Sequence, residues 1–136
     1  MENEKKPISR NQQHSKAMTC IYQYLFYLKA NYKQDIKELI NSAFKEGETV
    51  DPFVKKAVIE AIKHMPEIVE TIDPLLNKWT FKRLGLVEQA ILSLGYVEIK
   101  YLDVPRQVAT DVCVKLAIKF ADAKSYKFIN AVLEKI

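Results

Sequence analysis

Two cysteines, two histidines and a scatter of carboxylates are the groups in this 136-residue chain whose chemistry could carry a reaction or hold a metal. Cys20 and Cys113 each lie inside a helix-like segment among apolar neighbours, which predicts two buried, reduced thiols. Metal ligation needs cysteines or histidines in close register, and His14 and His64 complete no such cluster with them. A nucleophile needs a base within reach. His14 falls in a polar N-terminal stretch, and His64, beside Met65-Pro66, suits a helix end where it faces the negative pole of the dipole. Glu67 and Glu70 have the spacing of a solvated helix face. The chain contains no glycine-rich phosphate loop, no HExxH, no GxSxG and no dinucleotide fingerprint. These patterns predict a binding protein without catalytic residues, metal or cofactor.

What chemistry remains is electrostatic. The chain has 21 basic and 17 acidic side chains, a net charge of +4. Residues 1–16 carry Lys5, Lys6, Arg10 and Lys16 against Glu2 and Glu4, and residues 100–136 also carry a basic excess, while the middle is close to neutral. If the fold joins the two ends, they form a modest basic face of the kind that attracts phosphate backbones.

The elements that must position these charges read as helices throughout. Ala17, Met18, Ile21, Tyr22, Leu25 and Leu28 recur at spacings of three and four, predicting a helix from about Ser9 to Ala30. A second segment carries Ile36, Leu39, Ile40, Ala43 and Phe44 and stops near Gly47. Asp51-Pro52 is a cap followed by a first-turn proline, and Val54, Ala57, Val58, Ala61, Ile62 and Met65 follow as one stripe. A fourth segment runs from Pro66 through Ile68, Ile72 and Leu76 to Trp79, which reads as a packing residue, with a break expected near Asp73 because of Pro74. Gly85 precedes a buried helix in which Gly95 permits close helix contact; Pro105 opens another; Ser125 reads as the cap of the last.

The expectation is an all-α, compact bundle of six or seven helices forming a single domain over 1–136, with residues 1–8 open to disorder. Apolar types make up 49% and charged types 28%, an ordinary globular balance. No apolar run approaches the 18 or so residues of a membrane span, and the N-terminus lacks a secretory signal, so a cytoplasmic location is expected.

The stretch Trp79–Ile136 carries a more specific pattern. Trp79, Arg83-Leu84, Val87-Glu88 and Ala90-Ile91-Leu92 are followed by Val104-Pro105, Leu116-Ala117 with Phe120, then Ser125, Phe128, Asn130, Val132 and Leu133. In order and spacing this resembles the C-terminal half of the NusB family of transcription antitermination factors. SKAMTCIYQYLF and Ile72-Asp73 are similar to the N-terminal half, and the length is that of a stand-alone member. A related domain heads certain ribosomal RNA cytosine methyltransferases, whose catalytic domain has no counterpart here.

The resemblance implies two packed helical subdomains that bind single-stranded boxA RNA together with the ribosomal protein NusE, in antitermination and ribosomal RNA maturation, with other Nus factors and RNA polymerase joined through that complex. It places the RNA-contacting first-helix stretch at Arg10–Lys16, where Arg10 and His14 keep basic or polar character and Asn11 and Gln12 replace arginines. Lys5, Lys6 and Lys16 compensate in part, as do Lys124 and Lys127 near the C-terminus. Tyr22 and Phe128 match family aromatics near the RNA. Glu88 matches the carboxylate that engages NusE, and Arg83 either supports it or pairs with a neighbouring acid. Val112 stands where the family usually has a carboxylate. Fewer cations at residues 10–14 imply weaker RNA affinity and leave open a NusE-binding scaffold with little RNA binding. A DNA-binding alternative finds no recognition-helix signature.

Overall fold

Ser9 starts the first helix with a reciprocal cap. Its Oγ accepts the Gln12 N–H at 3.2 Å, and Gln12 Oε1 accepts the Ser9 N–H at 2.8 Å. A computed structural model describes residues 8–136; Lys5, Lys6 and the rest of residues 1–7 lie outside the described residues. Within them the chain forms seven α-helices: α1 Arg10–Lys29, α2 Ile36–Asn41, α3 Pro52–Lys63, α4 Met65–Ile72, α5 Leu86–Tyr101, α6 Arg106–Phe120 and α7 Ser125–Glu134. Short 3-10 turns at Asp73–Leu75 and Phe81–Arg83 link α4 to α5.

Several boundaries follow from local chemistry. Asp51 caps α3 through a 3.1 Å bond from the Val54 N–H, and the Gln13 amide reaches the same carboxylate at 3.1 Å, tying α1 to α3. The break expected at Asp73 is present, since Pro74 cannot donate to the helix and the chain tightens there into a 3-10 turn. α2 ends earlier than its apolar pattern predicts, because Ser42 Oγ turns back to the Leu39 carbonyl at 2.7 Å. Two readings near helix starts are corrected. Pro105 occupies the capping position, one residue ahead of the first turn, and Ser125 is already helical, with Lys124 as the cap.

α5 organises the molecule. Gln89 through Glu98 are all buried, as expected of a helix surrounded by others. It packs on α1, α3 and α4 of the N-terminal set and on α6 and α7 of the C-terminal set. Gly95 makes the second contact possible: a Cβ there would lie 2.8 Å from Leu133 Cδ2 and 3.1 Å from Cys113 Sγ. Cys20 and Cys113 are buried and free. Burial pushes the Cys20 thiol up to about 11 and Cys113 well above its ordinary range, so neither is a ready thiolate. No helix among the described residues is long and apolar enough to cross a membrane.

Candidate functional site

The residues singled out in the sequence gather at two places, at opposite ends of α5. At its N-terminus, Gly85 is the cap and Glu88 sits in the first turn, where a carboxylate is favoured by the positive end of the helix dipole. The Ser125 hydroxyl donates to Glu88 Oε2 at 2.9 Å, fixing the carboxylate against the start of α7. Gly85 leaves room for this, since a Cβ would lie 2.6 Å from Glu88 Oε1. The pair opens onto a groove of about 830 Å³ whose walls include Trp79, Arg83, Glu88, Lys124 and Phe128. Asp73 Oδ1 accepts the Phe81 N–H at 2.7 Å, and the Gln89 amide donates to the Leu84 carbonyl at 2.8 Å. The first bond closes the loop carrying Trp79 and Arg83 onto the turn that ends α4, and the second holds it to α5. Trp79 is 61% exposed on the groove wall, which corrects its reading as a packing residue: the loop after the proline break carries it out of the helical stripe.

The other end is the start of α1. Arg10 is exposed, but its neighbours are occupied within the fold. Gln12 closes the cap, Gln13 binds Asp51, and Lys16 Nζ donates to the Ala43 carbonyl at 2.6 Å while lying over the Phe44 ring. His14 is only 3% exposed, so its ring has no surface for RNA and the expected contact is corrected. Nδ1 lies 2.7 Å from the Arg10 carbonyl, and Nε2 lies 2.5 Å from Glu98 Oε1. Burial pulls the His14 pKa down, but the Glu98 hydrogen bond and charge, with the Arg10 carbonyl, raise it above its ordinary value.

Of the two basic ends, the stretch around Lys124 is placed away from the start of α1. His14 is anchored at Glu98 and Ser125 at Glu88, about ten residues or 15 Å apart along α5 at 1.5 Å per residue. α7 packs on α5 and α6, while α1 packs chiefly on α5 and α3. Lys124 and Phe128 therefore share a groove with Arg83 and Glu88 instead of lying beside Arg10. Lys127 is exposed nearby on α7, Tyr22 is half-buried on α1, and Val112 is buried in the core.

One cluster escaped the sequence reading. Glu67, expected to be merely solvated, accepts the Tyr96 hydroxyl at 2.7 Å and the Tyr101 hydroxyl at 2.6 Å. His64 stacks on Tyr101 with ring centroids 4.0 Å apart. The two tyrosine bonds lower the Glu67 pKa, and the Glu67 bond pushes Tyr101 up to about 12. The arrangement pins the α3–α4 corner to the end of α5. A Glu three residues after a histidine was visible in the sequence, but its tyrosines lie on a distant helix. Among the described residues no group of three or more His, Cys, Asp or Glu is placed to hold a metal.

Comparison with known proteins assigns this architecture. The NusB family matches residues 11–136. The chain belongs to the NusB family. The transcription antitermination protein NusB of Oceanobacillus iheyensis is 38% identical over 122 residues, covering 89% of this chain and 95% of that protein. The NusB of Geobacillus kaustophilus is 43% identical over 91 residues, covering 66% of this chain and 70% of its own. NusB of T. maritima superposes with a TM-score of 0.79 at 21% identity, over 96% of this chain and 91% of that one, a likeness of fold. A chain in the crystal structure of antitermination factors NusB and NusE in complex with dsRNA has a TM-score of 0.70 at 26% identity, over 94% of this chain and 96% of its own. The all-α bundle read from helix periodicity is thus the NusB fold.

Proposed function

We propose that this NusB-family chain is a cytoplasmic transcription antitermination and ribosomal RNA biogenesis factor that binds boxA-type single-stranded RNA together with NusE, without a catalytic step. The observation that carries the proposal is the likeness, over nearly the whole chain, to a protein crystallised with NusE and dsRNA. Glu88 is the partner contact: half-buried, held by Ser125 and flanked by Arg83 and Trp79 on an open groove. Arg10, Tyr22, Lys124, Lys127 and Phe128 supply the RNA contacts. With Lys124 and Phe128 in the same groove as Glu88, RNA and NusE meet there, and other Nus factors and RNA polymerase join through that complex.

The test titrates labelled boxA RNA, a scrambled strand and a duplex with the protein, alone and with NusE, at two salt concentrations. Preference for boxA, strengthened by NusE and weakened by salt, supports the proposal. Glu88→Lys is expected to abolish NusE association and spare RNA binding by the protein alone, while Arg10→Ala does the reverse; equal loss of both activities in either variant overturns this division. The inward turning of Gln13 and His14 favours a second reading, a NusE-binding scaffold with weakened RNA affinity. That reading predicts intact NusE association with no RNA binding under any of these conditions.

A further inference from the structure

The C-terminal half of α1 bears a surface of which these roles use only Tyr22. Tyr22, Phe26 and Lys29 project from one strip of the helix, within about 60° of arc at 100° per residue. Phe26 is 50% exposed, and its ring stacks on Tyr22 with centroids 6.5 Å apart and planes 25° from parallel. On its other flank Phe26 meets Tyr27 edge-on at 5.6 Å, and Tyr27 meets Tyr32 at 5.3 Å. Tyr32 is 66% exposed.

The end of α1 fixes this run of rings. Asn31 adopts the left-handed conformation, φ 61°. The Asn31 N–H bonds to the Leu28 carbonyl at 3.1 Å and the Tyr32 N–H to the Tyr27 carbonyl at 2.9 Å, the paired closure in which the residue beyond the helix folds back on its last turn. Tyr32 is thereby placed beside Tyr27.

Charge decides what covers these rings. Between Lys5 and Gln34 the chain has no aspartate or glutamate, and exposed Lys29 and Lys33 flank the aromatic run. A second copy docked face to face would bring those lysines against each other, and the nearest acid in the chain, Asp35, is engaged in capping α2. A polyanion with planar bases suits both features at once: rings stack on bases of any identity while lysines meet phosphates. The same strip continues back through Ser15 to Asn11, next to Arg10.

We propose that Tyr22, Phe26, Tyr27 and Tyr32, with Lys29 and Lys33, form a stacking track for unpaired RNA bases that prolongs the RNA site along α1. The proposal rests on the RNA-binding reading above and extends its single-stranded ligand along the exposed rings of α1. From Asn11 to Lys29 the strip is about 27 Å long at 1.5 Å per residue, room for about eight stacked nucleotides at roughly 3.4 Å each. Aromatic stacking here offsets the arginines missing from the start of the helix.

The test measures binding of a labelled, unstructured 12-nucleotide RNA, and of the same strand in duplex, by fluorescence anisotropy with and without NusE. Phe26→Ala is expected to weaken single-strand binding about five- to hundredfold, with the salt dependence and the duplex affinity unchanged and the thermal midpoint within error of wild type. Phe26→Trp restores affinity, and Lys29→Glu flattens the salt dependence. If a Phe26→Ala/Tyr32→Ala variant binds the strand like wild type while Arg10→Ala binds it less well, the track is wrong and the RNA site at Arg10 stands. If the wild-type protein binds no RNA with or without NusE, both readings fall. If the double variant turns a sedimenting dimer into a monomer with RNA affinity intact, a second copy covers the rings and the track is overturned.

Discussion

The Arg10 carbonyl can only accept, so the His14 Nδ1 facing it carries a proton, and the short Nε2 to Glu98 bond holds a second proton between ring and carboxylate. Replacing the ring by His14→Ala leaves Glu98 fully buried without its partner, and its other oxygen already has none. The expected loss is about 3–5 kcal/mol in denaturant unfolding. The raised His14 pKa fixes the sign of a pH effect. Folding favours the protonated ring, so its contribution is fully present below about pH 6.5 and is lost as pH rises through the higher folded value. The urea midpoint of the native protein should therefore fall on the alkaline side by more than that of His14→Gln; identical pH profiles would remove the pair from the account. The inward turn of His14 had a signal in the sequence: it stands three residues before Ala17, four before Met18 and seven before Ile21, in phase with the buried stripe. The polar character of its immediate neighbours masked that phase, and Glu98 lies too far along the chain to be matched by spacing.

Helices were legible wherever caps and stripes coincided. Ser9 and Asp51 start their helices by side-chain bonds within three residues, and the apolar periods of α1 and α3 end near their observed termini. The loop carrying Trp79 and the helix starts at Glu88 and Ser125 were less legible, because these residues take their places from contacts between elements. Gly95 was legible as a close-contact residue, and its environment sets a graded prediction. Alanine gains about 1 kcal/mol of helix propensity, but its Cβ must displace Leu133, fully buried on α7. Shifting the flexible end of one leucine costs a comparable amount, so Gly95→Ala should change stability by less than about 1 kcal/mol. In Gly95→Val the added methyls press further on Leu133 and on Cys113, already 3.1 Å from a Cβ at this position, and overpacking wins by about 1–3 kcal/mol. Chemical denaturation of both variants checks this. Equal stability of the two would mean that α5, α6 and α7 do not meet as closely as the geometry requires.

At the scale of the whole molecule, a net charge of +4 matters less than which cations are free to meet phosphate. Lys16 is committed to Ala43 and Phe44, and His14 to Glu98. Arg10, Lys29 and Lys33 on the α1 side and Lys124 and Lys127 near the groove are exposed. Each phosphate neutralised on a single strand contributes about −0.7 to the slope of log affinity against log salt. An RNA that follows α1 and crosses to the groove uses all five cations and gives a slope of about −3.5; one confined to α1 gives about −2. Because Lys124 lines the groove with Glu88, where the partner is proposed to sit, the steeper value is expected with NusE bound. Removing Lys124 and Lys127 together should then flatten the slope by about 1.4, and Arg10→Ala by about 0.7. Lys5 and Lys6, when engaged, each add a further step of the same size. A slope near −2 that the double replacement leaves unchanged would confine the RNA to α1 and leave Lys124 and Lys127 to the protein partner.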